Sequence, residues 1–141
     1  MEKTLQRFLD AQETDYAIAL KELRQGYKCS HWMWYIFPQI SGLGFSRTAQ
    51  YYEIKNIEEA KEYINHPVLG KRLIDISRVL LKTESNDARE VMGYPDDLKL
   101  KSCMTLFSII APEEDVFKKV LDKFFDGHQD EKTIDILNNV K

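Results

Sequence analysis

Residues 27–52 combine the side chains of this sequence that are best suited to bind a small ligand. They include eight of the sixteen aromatic residues and both tryptophans, with Lys28 and Arg47 as the formal charges. Aromatic rings supply rigid apolar area, and a few polar groups among them fix the orientation of a ligand. We therefore predict a small-ligand pocket in this aromatic segment. The side chains expected to contact the ligand are Trp32, Trp34, Tyr35, Gln39, Ser46 and Arg47.

The ligand that fits these residues best is a nucleotide or an ADP-ribose-like molecule. A flat ring would stack on a tryptophan or tyrosine, and Arg47 with the loop Gly42–Gly44 would hold a phosphate. The candidate reaction is hydrolysis of an N-glycosidic bond, with His31 and Asp97 as candidate catalytic residues. Asp97 would act as a general base facing the pocket. The sequence leaves open whether the protein is an enzyme, and it indicates no cofactor.

Two other interpretations fit the same segment. The run from Trp32 to Phe37 would be apolar on all sides as a helix, which is typical of buried core. As core, the segment would have to bury His31 and Gln39, at a cost of about 1–3 kcal/mol for each unpaired polar group. Exposed tryptophan and tyrosine rings could instead anchor a peptide or protein partner. A concave site favours the ligand pocket, and a flat exposed patch favours the interaction module.

Other kinds of site find less support in the sequence. The histidines His31, His66 and His128 show no spacing typical of metal ligands, so we predict no metal site. Cys29 and His31 lie two residues apart and would face different ways on a helix, which disfavours a nucleophile–base pair. No glycine-rich phosphate loop of a known pattern is present.

Helical patterns cover most of the chain outside this segment. We expect one helix over residues 4–12 and a second that is capped by Thr14 or Asp15 and ends at Gly26. The clearest amphipathic helix follows Pro67 and buries Leu69, Leu73, Ile76 and Leu80. Further helix starts are predicted at Asn56, Asp96, Pro112 and Asp130. The sequence thus predicts a mainly α fold, a single multihelical domain over residues 1–141 with about seven or eight helices and little or no strand.

Composition and charge restrict the classes of partner. The 141 residues include 20 basic and 23 acidic side chains, for a net charge of -3, which disfavours general binding to nucleic acid. Residues 29–46 lack charged side chains except for the histidine, yet they contain too many polar residues to cross a membrane. The first residues carry no apolar signal core, so we expect a cytoplasmic protein. The oligomeric state does not follow from the sequence.

Several motifs resemble one bacterial family, the domain of unknown function 1810, which is sometimes labelled calpastatin-like. The most distinctive is the run Lys28-Cys29-Ser30-His31-Trp32-Met33-Trp34-Tyr35-Ile36-Phe37-Pro38-Gln39, followed by Gly42-Leu43-Gly44 and Ser46. Residues 8–12, 66–73, 96–107 and 121–137 resemble further parts of the family, with Cys103 where a serine is expected. The resemblance implies a mostly helical single domain. It implies no activity and assigns no functional residue.

Overall fold

Nine α-helices make up most of residues 4–139, the part of the chain that the computed structural model describes. In chain order they are α1 (Gln6–Gln25), α2 (Met33–Ile36), α3 (Arg47–Tyr52), α4 (Ile57–Asn65), α5 (Leu69–Leu81), α6 (Ala88–Met92), α7 (Asp96–Ile110), α8 (Val116–Phe125) and α9 (Glu131–Asn139). The predicted mainly α fold is confirmed. Within the described residues, the strand-like pairing is confined to a contact between Ile40 and Ile54.

The first two predicted helices are one continuous helix, α1. Thr14 and Asp15 lie inside it and do not start a new helix, because no proline or glycine interrupts residues 6–25. The predicted end is confirmed, since Gly26 adopts a left-handed conformation with a φ of 103°.

Helix α5 lies at the centre of the core, as its spacing predicts. Leu69, Leu73, Ile76 and Leu80 are each at most 1% exposed, and the helix packs against α1, α4 and α8. His66 caps its start, because the ring Nδ1 accepts hydrogen bonds from the backbone N–H groups of Val68 and Leu69 at 3.1 and 3.2 Å. The core is therefore built around α5, the helix that the spacing of apolar residues predicts most clearly.

The start of α7 differs from the sequence prediction. Pro95 occupies the N-cap position, and no side chain caps the helix. The Asp96 carboxylate instead binds two ammonium groups, Lys28 Nζ at 2.8 Å and Lys99 Nζ at 3.2 Å. The pair with Lys28 connects the aromatic segment to α7, and the pair with Lys99 lies within α7. The predicted caps at Asn56 and Asp130 are confirmed, since each accepts a hydrogen bond from the backbone three residues later.

No helix between residues 4 and 139 is both long enough and apolar enough to cross a membrane.

Candidate functional site

Glu22 on α1 fixes the start of the aromatic segment. Its buried carboxylate accepts hydrogen bonds from the backbone N–H groups of Cys29 at 2.7 Å and Ser30 at 3.0 Å, and from the indole N–H of Trp32 at 2.9 Å. The Ser30 hydroxyl is a fourth donor. Burial acts to raise the pKa of Glu22, but these hydrogen bonds outweigh it and lower the pKa below its ordinary value. The chain after α1 is thus held in one conformation by a single charge.

Gln12 fixes the middle of the segment. Its side chain is 1% exposed, and its amide N–H groups donate to the Tyr35 carbonyl at 2.7 Å and to the Tyr63 hydroxyl at 3.0 Å. Arg72 donates to the amide oxygen at 3.3 Å. The short helix α2 is therefore held against α1, and the same side chain connects α1 to α4 and α5.

Arg7 fixes the end of the segment. The guanidinium group pairs with the Glu59 carboxylate at 2.8 Å, and both side chains are 2% exposed. It also donates to the carbonyl oxygens of Tyr51 and Glu53, each at 2.8 Å. Burial acts to raise the pKa of Glu59, but hydrogen bonds from Arg7 and from the backbone of Lys55 lower it overall. The sequence did not predict the buried pair of Arg7 and Glu59, because isolated charged residues usually indicate a solvent-facing surface.

A cleft of about 700 Å³ opens between three distant parts of the chain. One wall is the aromatic segment from Trp34 to Ala49, the second is the first half of α7, and the third is the stretch 128–132 that leads into α9. A narrow recess continues from the cleft beneath Trp34 and Gln39. The aromatic, polar and charged side chains that line the cleft include Trp34, Gln39, Phe45, Ser46, Lys99, Lys101, His128, Asp130, Glu131 and Lys132.

Three of the six predicted ligand contacts line this cleft. They are Trp34, Gln39 and Ser46. Trp34 is partly exposed, and the ring centroid lies 5.0 Å from Lys99 Nζ. Ser46 also caps α3, because its hydroxyl oxygen accepts from the backbone N–H of Ala49 at 3.0 Å. That these residues contact a ligand stays a prediction.

The other three predicted contacts lie elsewhere. Trp32 is 1% exposed and its indole N–H is bound to Glu22, so the ring has no free face for a ligand. Tyr35 is turned toward α1 and α3, where its hydroxyl donates to the Asp15 carboxylate and its ring lies 4.9 Å from the ring of Tyr52. Burial, followed by the contact with Asp15, raises the pKa of Tyr35. Arg47 is exposed at the start of α3, outside the lining of the cleft.

The glycines of the 42–44 loop are explained by packing rather than by a phosphate. A Cβ on Gly44 would lie 2.5 Å from the Cβ of Ala49, so the loop could not approach α3 with any other residue. Gly42 has a φ of 109° and packs against Ile136. Arg47 lies outside the lining of the cleft, and binding of an anion by this loop and Arg47 stays a prediction.

The cations of the cleft come instead from α7 and from the start of α9. Lys99 is paired with Asp96. Lys101 and Lys132 have no carboxylate partner among residues 4–139. The nearest aromatic contact of Lys101 is the ring of Phe125, whose centroid lies 5.9 Å from Nζ. Lys101 and Lys132 therefore line the same cleft as Trp34, together with the carboxylates of Asp130 and Glu131.

The carboxylates that line the cleft are Asp130 and Glu131. Asp130 already accepts from the hydroxyl of Ser102 at 3.1 Å, and from the backbone and hydroxyl of Thr133 at 3.1 and 2.6 Å. Glu131 is exposed in the first turn of α9. Asp130 is thus committed to the joint between α7 and α9.

The two candidate catalytic residues do not meet at the cleft. His31 is exposed and lies outside its lining. Asp97 lines a separate shallow depression of about 550 Å³ with residues 85–89, Phe124 and Phe125. Its Oδ1 is buried and has no hydrogen-bond partner in the described chain. Asp97 therefore lies outside the lining of the cleft, and its role as a general base stays a prediction.

Neither cysteine forms a disulfide, and burial raises the pKa of Cys103 well above its ordinary value. Within residues 4–139, no three histidine, cysteine or carboxylate side chains come together as a metal site would require.

Comparison with known proteins defines the family. A family model described as "Protein of unknown function (DUF1810)" matches residues 2–137. The chain belongs to this family. The crystal structure of the conserved hypothetical protein Rv1873 from Mycobacterium tuberculosis is similar, with 40% sequence identity and a TM-score of 0.94. The similarity covers 96% of this chain and 97% of that one.

No match was found among curated proteins. Neither the description of the family nor that of Rv1873 assigns a ligand or a reaction. The function must therefore be inferred from the cleft itself.

Proposed function

We propose that this protein binds a nucleotide-like small molecule in the cleft, with the flat ring against Trp34 and Phe45 and the phosphate against Lys101 and Lys132. The observation that carries the proposal is the meeting of exposed aromatic surface and unpaired ammonium groups in one concavity. A volume of about 700 Å³ lies within the usual range for small-molecule sites.

The aromatic side of the cleft offers free ring surface. Phe45 is 89% exposed, the highest value among the exposed large apolar side chains of the described chain. Exposing a phenyl ring to water is unfavourable, and a stacked base would cover it. Stacking of a base on an aromatic side chain contributes about 1–3 kcal/mol and depends little on the base.

The cationic side of the cleft offers charge for an anion. An ammonium group binds phosphate as a point charge, and it does so more strongly when no carboxylate neutralises it. Lys101 and Lys132 meet this condition, whereas Lys99 is partly neutralised by Asp96 at 3.2 Å. Because Lys132 lies 80 residues after Tyr52, the end of the aromatic segment, only folding brings the two halves of the proposed site together.

The proposal is one of binding and not of N-glycosidic hydrolysis. Hydrolysis would need a carboxylate or a histidine placed beside the glycosidic bond. Asp130 is held by Ser102 and Thr133, and Asp97 lies outside the cleft. His128 and Glu131 line the cleft, but nothing else in their surroundings favours a catalytic role.

The alternative function, a peptide or protein-interaction module, has weaker support. Tyr27, Tyr51 and Tyr94 are 56%, 48% and 63% exposed, yet none of them lines the cleft. Trp34 and Phe45 line a concave surface, which favours a small ligand over a flat partner.

Tryptophan fluorescence tests the proposal. Adenosine monophosphate, ADP and ADP-ribose should each quench the emission of Trp34, and a Trp34→Phe variant should lose that response while the buried Trp32 remains. Lys132→Gln should weaken binding of all three ligands, because each carries a phosphate. Arg47→Gln is the matched control, since it removes a neighbouring charge outside the cleft and should leave binding unchanged.

Two results would count against the proposal. The first is the absence of quenching by every nucleotide at millimolar concentration. The second is quenching that Arg47→Gln weakens as much as Lys132→Gln does. Tight binding of a peptide without any nucleotide binding would support the interaction module instead.

A further inference from the structure

We infer that Gln39 recognises the hydrogen-bonding edge of the ring and makes the cleft selective for adenine nucleotides, an inference that rests on the proposed function. Four residues line both the cleft and the recess, namely Trp34, Gln39, Gly44 and Ala49. Gln39 is the one with a polar amide side chain. It thus lies where the edge of a ring stacked on Trp34 would arrive.

The backbone of Gln39 is fixed while its side chain is free. The carbonyl oxygen accepts from the N–H of Ile54 at 2.7 Å, in the pairing that joins the segment to residue 54. The side-chain amide makes no hydrogen bond within residues 4–139, and both its oxygen and its nitrogen are accessible to solvent. A held backbone with an uncommitted amide is suited to binding a ligand.

Two of the residues that line the recess beside this amide are small. Gly44 and Ala49 line both the cleft and the recess. The other polar side chain of the recess, Glu53, is already committed, since its carboxylate accepts from the Ser41 hydroxyl at 2.9 Å and from the Gly42 N–H at 3.4 Å. Gln39 is therefore the recess residue with hydrogen-bonding capacity to spare.

The chemistry of the amide selects the ring. A glutamine side chain presents a donor and an acceptor side by side. Adenine offers the complementary pair, the N6 amino donor beside the N7 acceptor, and glutamine binds this pair with two hydrogen bonds. At this edge, guanine and hypoxanthine present two acceptors, O6 and N7, so the amide oxygen of Gln39 would face an oxygen. Their opposite edge offers the O6 acceptor beside the N1–H donor, which an amide also matches, so the inference requires that the edge with N7 faces Gln39. With that edge toward it, the amide favours adenine over the other purines.

Calorimetry with three ligands tests the inference. Adenosine monophosphate carries the amino group, purine riboside monophosphate lacks it, and inosine monophosphate replaces it with a carbonyl. The wild-type chain should bind adenosine monophosphate about tenfold tighter than the other two. Gln39→Leu should bind all three with the affinity that the wild type shows for purine riboside monophosphate.

The control is Gln129→Leu, the same change at an exposed position on the opposite wall of the cleft. It should keep the tenfold preference. The inference is overturned if Gln129→Leu loses the preference instead, or if the wild type binds the three ligands equally. Equal binding leaves the proposed function standing, whereas failure of all three ligands to bind removes the proposed function itself. Should Gln39→Leu fail to fold, Gln39→Met takes its place, since methionine has a similar size and lacks the amide; a variant at this position that keeps the preference overturns the inference.

Discussion

Single charged residues determine the conformation of the aromatic segment. Glu22 binds four donors at its start, and Arg7 with Glu59 binds the chain at its end. Buried charges are costly unless every bonding position is satisfied. In this protein they are satisfied by backbone groups, by the Ser30 hydroxyl and the Trp32 indole, and by the pairing of Arg7 with Glu59, so the segment is held without a regular sheet or a long helix.

Glu22→Gln should destabilise the protein by about 2–3 kcal/mol, because the amide presents an N–H group to donors that need an acceptor. The measurement is urea-induced unfolding followed by circular dichroism. Glu13→Gln, an exposed change on the same helix, should alter the free energy of unfolding by less than about 0.5 kcal/mol. Equal effects of the two variants would show that the Glu22 contacts contribute nothing specific.

The same carboxylates predict how stability depends on pH. Glu22 and Glu59 have lowered pKa values in the folded chain, so the unfolded state binds protons first as the pH falls. Their contribution is therefore complete above the ordinary value of 4.5 and is lost as the pH drops through the folded pKa values. Unfolding measured between pH 6 and pH 3 should show this loss, with a shallower slope for Glu22→Gln; an unchanged slope contradicts the assignment to Glu22.

The sequence predicted those residues of the cleft that lie together in one segment of unusual composition. Trp34, Gln39 and Ser46 follow from the mixture of rings, amides and glycines in one segment. Trp32 and Tyr35 belong to the same mixture but pack against other parts of the protein. The sequence could not predict this difference, because the helix Met33–Ile36 has one turn and is too short to show which side chains are buried. Lys132 was missed since its role depends on contact between segments distant in sequence.

At the scale of elements, the close approach of α4 and α5 depends on one glycine. A Cβ on Gly70 would lie 2.0 Å from the carbonyl oxygen of Ile64. Because the clashing atom belongs to the backbone, the two helices would have to separate. Gly70→Ala should therefore lower stability by at least about 2 kcal/mol in urea-induced unfolding, and an unchanged midpoint would contradict the packing described above.

The amphipathic pattern of α5 gives a second prediction for the elements. Leu73 is 1% exposed, so Leu73→Ala should cost about 2–5 kcal/mol of unfolding free energy. The matched control is Ile109→Ala on α7, where the side chain is 41% exposed. This variant should lower the free energy of unfolding by less than about 1 kcal/mol. The check is chemical unfolding of both variants; similar losses would mean that burial does not set the cost.

Helix positions could be predicted where spacing and caps agree, and not elsewhere. The pattern of α5 and the caps at Asn56 and Asp130 agree with the structure. Thr14 and Asp15 resemble caps but lie within α1, because residues that cap helices are also tolerated inside them. Asp96 differs since its carboxylate is used by Lys28 and Lys99, a long-range contact that competes with capping.

At the scale of the molecule, the cleft arises from packing that no local pattern specifies. The loop at Gly42 meets α9 through Ile136, the ion pair of Lys28 with Asp96 holds the aromatic segment to α7, and Asp130 joins α9 to Ser102 on α7. These three contacts bring Trp34 and Phe45 opposite Lys101 and Lys132. We propose that the cleft formed in this way binds a nucleotide.

Calorimetric titration of adenosine monophosphate into the wild type and into the double variant Lys101→Gln/Lys132→Gln tests that claim most directly. The double variant removes both unpaired charges of the cleft, and the double control Lys61→Gln/Lys118→Gln removes two exposed charges far from it. The account predicts measurable binding by the wild type and the control, and affinity lower by about tenfold or more in the cleft variant. Equal affinity in all three proteins, or no binding by any of them, would contradict it.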